Sequence, residues 1–407
     1  MNNKPVVKPQ ASSQIMVLLF VAIIALLPFG RLAELPVLVL SIWGVVQLFK
    51  QFDVIKLQPW FKPLSYFYLG FLALTVISSV DSFWPEKSWL VSLSSLRFYL
   101  LAVVVLNHVE NQYILSQTIK WVSVVMIVWG CDALVQAILG VNLLGMTSYP
   151  GRLTGVFGQN VKLGPTLALF LPVVLIFVSR FRPWLRWIAV ALMVLVIVLS
   201  GTRSAWIMSA FVLMMFWWHH VKGRRFLLLI KAITLVGIGA TLLWFTSTDF
   251  QNRVDRSVQL FQGDMDAVDF ALADRLPIWK TALNMYMEHP VNGVGVHAFR
   301  KAYTAYAEAN DVWVNQQGSG LHAHHWMLEI LAETGTIGAI IMLLLIVLLF
   351  KRFNQLFQLN TVWPFAVSLM AALLPVISLY SLFSSYWSIC LWWMLVAMFL
   401  GSKYDKS

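Results

Sequence analysis

Apolar residues in this chain come in long runs broken by short polar stretches. The runs fall at Ile15 to Phe29 and at about 33–49, 64–80, 92–108, 116–140, 163–179, 187–202, 204–218, 226–246, 326–350, 362–380 and 382–400. A helix needs about 20 apolar residues to cross a hydrocarbon core, so the pattern predicts about twelve transmembrane helices. The first run mimics a secretory signal, but no small-residue cleavage site follows and Gly30-Arg31 leads into another run, so it reads as span one. The 83–108 region is ambiguous and could hold a shallow or re-entrant piece.

One long stretch, 247–325, has the charge density of a water-soluble segment, with Asp249, Asp255, Asp264, Asp266, Asp269 and Asp274. Trp279, Leu283, Tyr286 and Met287 fall at helical spacing, which predicts an amphipathic helix over 276–287. Pro290 and the Gly293–Gly295 pair end it. A second helix is expected over 297–309. The expected organisation is 1–246 with spans one to nine, 247–325 as a loop with amphipathic helices, and 326–407 with spans ten to twelve and a tail.

Composition agrees with the pattern. Of 407 residues, 59% are hydrophobic and only 12% charged, against about 25% charged in soluble proteins. That excludes an ordinary soluble enzyme and a disordered chain, and leaves an all-α polytopic membrane protein. Lys and Arg outnumber acids for a net charge of +11. The surplus is asymmetric. Lys4, Lys8, Lys50, Lys56, Lys62, Arg180, Arg182, Arg186, Lys222, Arg224, Arg225, Lys351, Arg352, Lys403 and Lys406 fall on one side of a twelve-span topology. The other side has Arg31, Lys87, Arg152, Lys162 and Arg203 in its short loops. Basic loops stay cytoplasmic, so both termini are expected in the cytoplasm and the 247–325 loop outside. No basic run interleaved with aromatics occurs in a soluble segment, which argues against nucleic acid. Cys131 and Cys390 lie in apolar stretches and suit packing.

Ionisable residues near a membrane need a reason. Arg203, in LSGTRSAWI, marks either a tight hairpin or an anion site at a helix start. Arg275, in ADRLPIWKTAL, opposes the dipole of the helix it begins. It implies an anion between them, or a pairing with Asp274. His322, His324 and His325 cluster before span ten, without the H-E-x-x-H spacing or Cys partners of a zinc site. A neutral imidazole is a natural general base. Glu329 and Glu333 follow at one-turn spacing, to orient a histidine or cap the span, and Gly335 and Gly338 permit close helix packing. Arg152 and Asn160, in GRLTGVFGQNVKLG, are weaker candidates. Asp132 and Arg97, inside spans, are expected to pair for structural reasons.

Together these pieces resemble the O-antigen ligase and polymerase superfamily. The family's large loop ends in a His, usually followed by Asn, Ser or Gln, then nine residues, Gly, two residues and a Gly-like position. His324, His325, Gly335 and Gly338 fit that spacing, with His325 as the departure. SGTRSAW, Arg275 with Trp279 and HPVNGVG, and GRLTGVFGQN are similar to other family segments. The resemblance implies a GT-C-type glycosyltransferase in the bacterial inner membrane. Its donor would be undecaprenyl-diphosphate-linked O-antigen and its acceptor lipid A-core, met at the periplasmic face. It implies His324 as the catalytic base, and Arg203 and Arg275 on the diphosphate. His322, His325, Arg152, Asn160 and Glu333 would take supporting roles, with no metal or cofactor. An O-antigen polymerase or a protein O-oligosaccharyltransferase of the same superfamily is the alternative. A transporter or flippase is the alternative of another class, but it would be expected to put its ionisable residues near the bilayer midplane.

Overall fold

A computed structural model describes residues 10–220, 237, 241, 244–246, 248–259, 269, 270, 272–357, 359–375 and 380–404. Most of the expected span at 226–246 lies outside the described residues, as do Lys4, Lys8, Lys222, Arg224, Arg225, Asp264, Asp266 and Lys406.

The described chain is helical. Helices α1 to α9 are Ala11–Ala25, Glu34–Ile55, Phe61–Ser79, Pro85–Ser94, Leu96–Asn107, Asn111–Leu139, Leu163–Val178, Pro183–Leu199 and Arg203–His220. After them come α10 (Thr248–Val258), α11 (Leu276–Glu288), α12 (Phe299–Tyr306) and α13 (Val312–Gln317). The last three are α14 (Trp326–Leu356), α15 (Trp363–Ala372) and α16 (Ser385–Tyr404). Among the described residues six helical stretches are long and apolar enough to cross a membrane: Leu27–Ile55, Phe61–Ser79, Pro85–Asn107, Asn111–Leu139, Trp326–Gln355 and Ser385–Lys403. Four shorter apolar helices, α1, α7, α8 and α15, accompany them. The ambiguous 83–108 region is two helices broken at Ser95.

Helix α7 is the centre of the bundle. It is apolar on every face and almost wholly buried, packed by α6, α8, α9 and α15. A helix apolar all round suits protein or lipid surroundings equally; here the surroundings are protein. The outer helices differ. Leu38, Ile42, Trp187, Leu343 and Leu344 stand exposed. Apolar surface on this scale is not left to water; it faces lipid, and the chain is a multi-pass membrane protein. Intramembrane charge is paired as expected. Arg97 meets Glu34 at 3.1 Å, and Asp132 accepts the Asn142 side-chain amide at 3.0 Å and the Leu143 N–H at 2.9 Å.

Helix α14 is broken at Gly335, whose backbone (φ 59°, ψ −164°) is close to glycine-only territory. The break turns its backbone groups outward. The Val294 and Gly295 N–H groups donate to the carbonyls of Ala332 (2.9 Å) and Glu333 (3.0 Å). The Thr336 and Ile337 N–H groups donate to Pro290 (2.7 Å) and Val291 (3.2 Å). The HPVNGVG segment is thus laced into the gap. A side chain at Gly335 would come within 2.5 Å of the Val291 carbonyl carbon. This glycine serves the entry of a loop rather than the helix packing expected for it. The Phe83 N–H then donates to the Val294 carbonyl at 2.9 Å, which ties the start of α4 to the same segment.

Candidate active site

The amphipathic helix expected over 276–287 is α11, and Arg275 is its N-cap residue. One turn on, the Trp279 indole N–H donates to the Ala323 carbonyl at 3.1 Å. Its ring packs edge-on to that of His325, centroids 5.9 Å apart. A single helix therefore fixes both the arginine and the histidine segment.

The three histidines are not on a helix. His324 is left-handed at φ +52°, and His325 is extended as the N-cap of α14. The left-handed backbone at His324 lies between His322 and the helix that His325 caps. A left-handed non-glycine residue costs roughly 1–2 kcal/mol, and such strain persists where the surroundings enforce it. The ring of His324 lies against that of His322, centroids 3.9 Å apart. His325 carries a buried Nδ1 without a hydrogen-bond partner among the described residues. Burial holds its imidazole below the usual range. Glu333 spends both carboxylate oxygens on the backbone N–H groups of His297 (2.7 Å) and Phe299 (3.1 Å). Glu329 accepts the Leu382 N–H at 2.9 Å. Both glutamates thus pin loops around the histidine segment.

Other arginines gather around Arg275, one turn before Trp279. Gly201, at φ +63°, turns the chain so that Arg203 begins α9. Arg203 donates to the Ser257 hydroxyl at 3.4 Å. Arg253, also on α10, donates to the Gly201 carbonyl at 2.7 Å and to that of Gly151 at 2.5 Å. Asp274 pairs with Arg256 at 3.5 Å rather than with Arg275, the partner foreseen as possible. Among the described residues no carboxylate bonds Arg275. Burial, and then repulsion by Arg203, Arg152 and Arg256, push its guanidinium down to about 10. Arg152 and Asn160 line a cavity of about 290 Å³ with Tyr149, Gln159, Lys162 and Tyr380. Among the described residues no three His, Cys, Asp or Glu side chains are grouped so as to hold a metal ion.

A comparison with known families bears on this cluster. Residues 188–343 match the family model described as O-antigen ligase. The match supports membership of the O-antigen ligase superfamily. It includes Arg203, Arg275, His322, His324, His325 and Glu333, but not Arg152 or Asn160, which reach the cluster through the fold. A comparison with curated proteins found no match.

Several residues of the site had no mark in the sequence. Arg253 and Arg256 stood in an acidic-looking stretch, and Lys162 read only as a loop charge. Trp279 was marked beside Arg275 by the family resemblance, but nothing in the sequence showed that its indole N–H anchors the histidine segment.

Proposed function

We propose that the protein transfers O-antigen glycan from undecaprenyl diphosphate to a sugar of lipid A-core. The reaction would take place at the periplasmic face of the bacterial inner membrane, in a GT-C-type bundle of about twelve spans with both termini cytoplasmic. The observation that carries this reading is the state of Arg275, a partly buried cation crowded by three others. Such a group calls for an anion of more than one charge, and a diphosphate supplies it. Arg203 and Arg275 offer the planar fork that matches phosphate oxygens. Arg152 and Asn160 continue the site into the 290 Å³ cavity, which suits the donor's sugar end.

In the reaction an acceptor hydroxyl attacks the anomeric carbon and gives its proton to His324. The bond from that carbon to the diphosphate oxygen breaks, and the diphosphate leaves with the electron pair. Direct displacement inverts the anomeric centre. His324 is effective when neutral, and the arginines stabilise charge as it develops on the leaving group. The guanidiniums do the work a metal does in other transferases, so the reaction is metal-independent.

The test is transfer in vitro from purified lipid-linked glycan, with lipid A-core, a second lipid-linked glycan or a pilin-like protein as acceptor. Lipid A-core should be glycosylated in the presence of EDTA, and His324→Ala should abolish transfer while donor binding persists. Transfer to the second glycan alone would make the protein a polymerase. Loss of activity to EDTA with recovery on adding Mg²⁺, Mn²⁺ or Zn²⁺ would refute the arginine mechanism.

A further inference from the structure

A second cavity, of about 140 Å³, opens against His322. It is lined by Trp84, Lys87, His297, Arg300, His322 and Glu333, among others. These residues come from separate parts of the sequence: the start of α4, the turn before α12 and its first turn, the histidine segment and α14. The laced HPVNGVG segment and its bond to Phe83 bring them together. Lys87 is half-buried and Arg300 exposed. Among the described residues neither pairs with a carboxylate. The one carboxylate of the cavity, Glu333, has each oxygen occupied by a backbone N–H.

We propose that this cavity is the acceptor subsite, and that it selects a saccharide bearing an anionic substituent, a phosphate monoester or a carboxylate, close to the accepting hydroxyl. The inference rests on the transferase reading above and names the acceptor's chemistry. Two cations against one committed carboxylate leave a net positive cavity. Lys87 and Arg300 carry three and five N–H donors and no acceptor, so an acceptor-rich, negatively charged group entering the cavity can bond both. Burial, with Lys87, Arg300 and His322 behind it, pushes His297 down to about 4. Its ring is therefore neutral at working pH and leaves the charge to Lys87 and Arg300. The size fits too. At about 30 Å³ per water, the cavity has room for a charged substituent and part of its ring, not for a long glycan. His322 lies at once in this wall and against the ring of His324. A sugar anchored here by its anion presents a neighbouring hydroxyl to the base, while the donor diphosphate occupies Arg203 and Arg275.

The experiment compares lipid A-core acceptor in three forms: untreated, phosphatase-treated, and with its carboxylates reduced to alcohols. One treatment should raise the acceptor KM at least tenfold with little change in kcat, and its identity distinguishes phosphate from carboxylate. Arg300→Gln, at an exposed position, should raise KM similarly for the untreated acceptor and add nothing for the sensitive treated form. Unchanged KM after both treatments would overturn the proposal, as would an Arg300→Gln effect equal on all three forms. A donor-free titration with the untreated acceptor separates this inference from the reading beneath it. Binding weakened by Arg300→Gln and Lys87→Gln in a protein that transfers to no acceptor supports the cavity and sinks the transferase. Binding indifferent to both variants overturns the cavity, whatever the transfer result.

Discussion

Arg275→Met should stabilise the empty protein and weaken its hold on the donor. The substitution keeps the length of the aliphatic stem and removes the charge. In the empty site the guanidinium is pushed down from its ordinary value to about 10. At 1.36 kcal/mol for each tenfold step, keeping it charged at neutral pH costs up to about 3 kcal/mol. Removing it returns most of that, and a protein of this size should melt a few degrees higher. With donor bound the sign reverses. A hydrogen bond to a charged group contributes about 1.5–3 kcal/mol, so the variant's Kd for undecaprenyl diphosphate should rise roughly 10- to 100-fold. The assay is thermal unfolding in lipid nanodiscs, with and without undecaprenyl diphosphate. Wild type should start lower and gain more from the ligand; Arg275→Met should start higher and gain little. Arg275→Lys should fall between, because a point charge cannot reproduce the fork. A variant destabilised equally with and without ligand would refute the reasoning, since Arg275 would then be a packing residue whose charge is neutralised by something other than substrate.

His324→Gly should melt higher than wild type by roughly the 1–2 kcal/mol of left-handed strain and transfer no glycan; an active or a markedly less stable variant would remove the link between strain and catalysis. His297 predicts a pH dependence of stability. Above pH 6.5 the imidazole is neutral folded and unfolded, so nothing changes; as pH falls from 6.5 towards 4 only the unfolded chain takes the proton, and up to about 3 kcal/mol is lost. Melting temperatures across that window should flatten in His297→Asn, a residue that also tolerates the φ of +60° found there. For topology, Glu308 is exposed, and Glu308→Cys, in a background without the exposed Cys131, should react with an impermeant maleimide from the periplasm; reaction only after the inner membrane is permeabilised would invert the proposed orientation.

Hydropathy located the bundle because the bilayer imposes a length: apolar runs near 20 residues have few other uses. It did not foresee how the bundle is organised. Nothing in LGPTLALFLPVVLIFV says that α7 is enclosed by protein while the comparably apolar α8 leaves Trp187 exposed; both environments accept the same side chains. Arg97 and Asp132 were legible as needing partners because a bare charge in hydrocarbon is expensive. Their partners were not, since Glu34 and Asn142 are chosen by packing. The break of α14 at Gly335 was likewise invisible in position, since a glycine in an apolar run serves close packing, a kink or a loop insertion equally well.

The histidine segment was legible for a different reason from the cavity beside it. His324, the proposed base, stands just before the helix that Gly335 breaks, so its separation from that glycine is short and legible in the sequence as a spacing. Arg203 and Arg275 likewise stand at helix starts, where an isolated cation is conspicuous. Lys87, His297 and Arg300 carry no such mark, because they meet only through backbone hydrogen bonds between Phe83, Val294 and the broken turn of α14. Cavities assembled across about two hundred residues by loop insertion leave no period and no local motif. The chemistry common to a family is therefore written along the chain, while recognition of a particular acceptor is written between its elements. That division explains why acceptor choice could not be reached from the motifs, and why Arg300→Gln is the sharper probe of specificity while His324→Ala is the sharper probe of reaction.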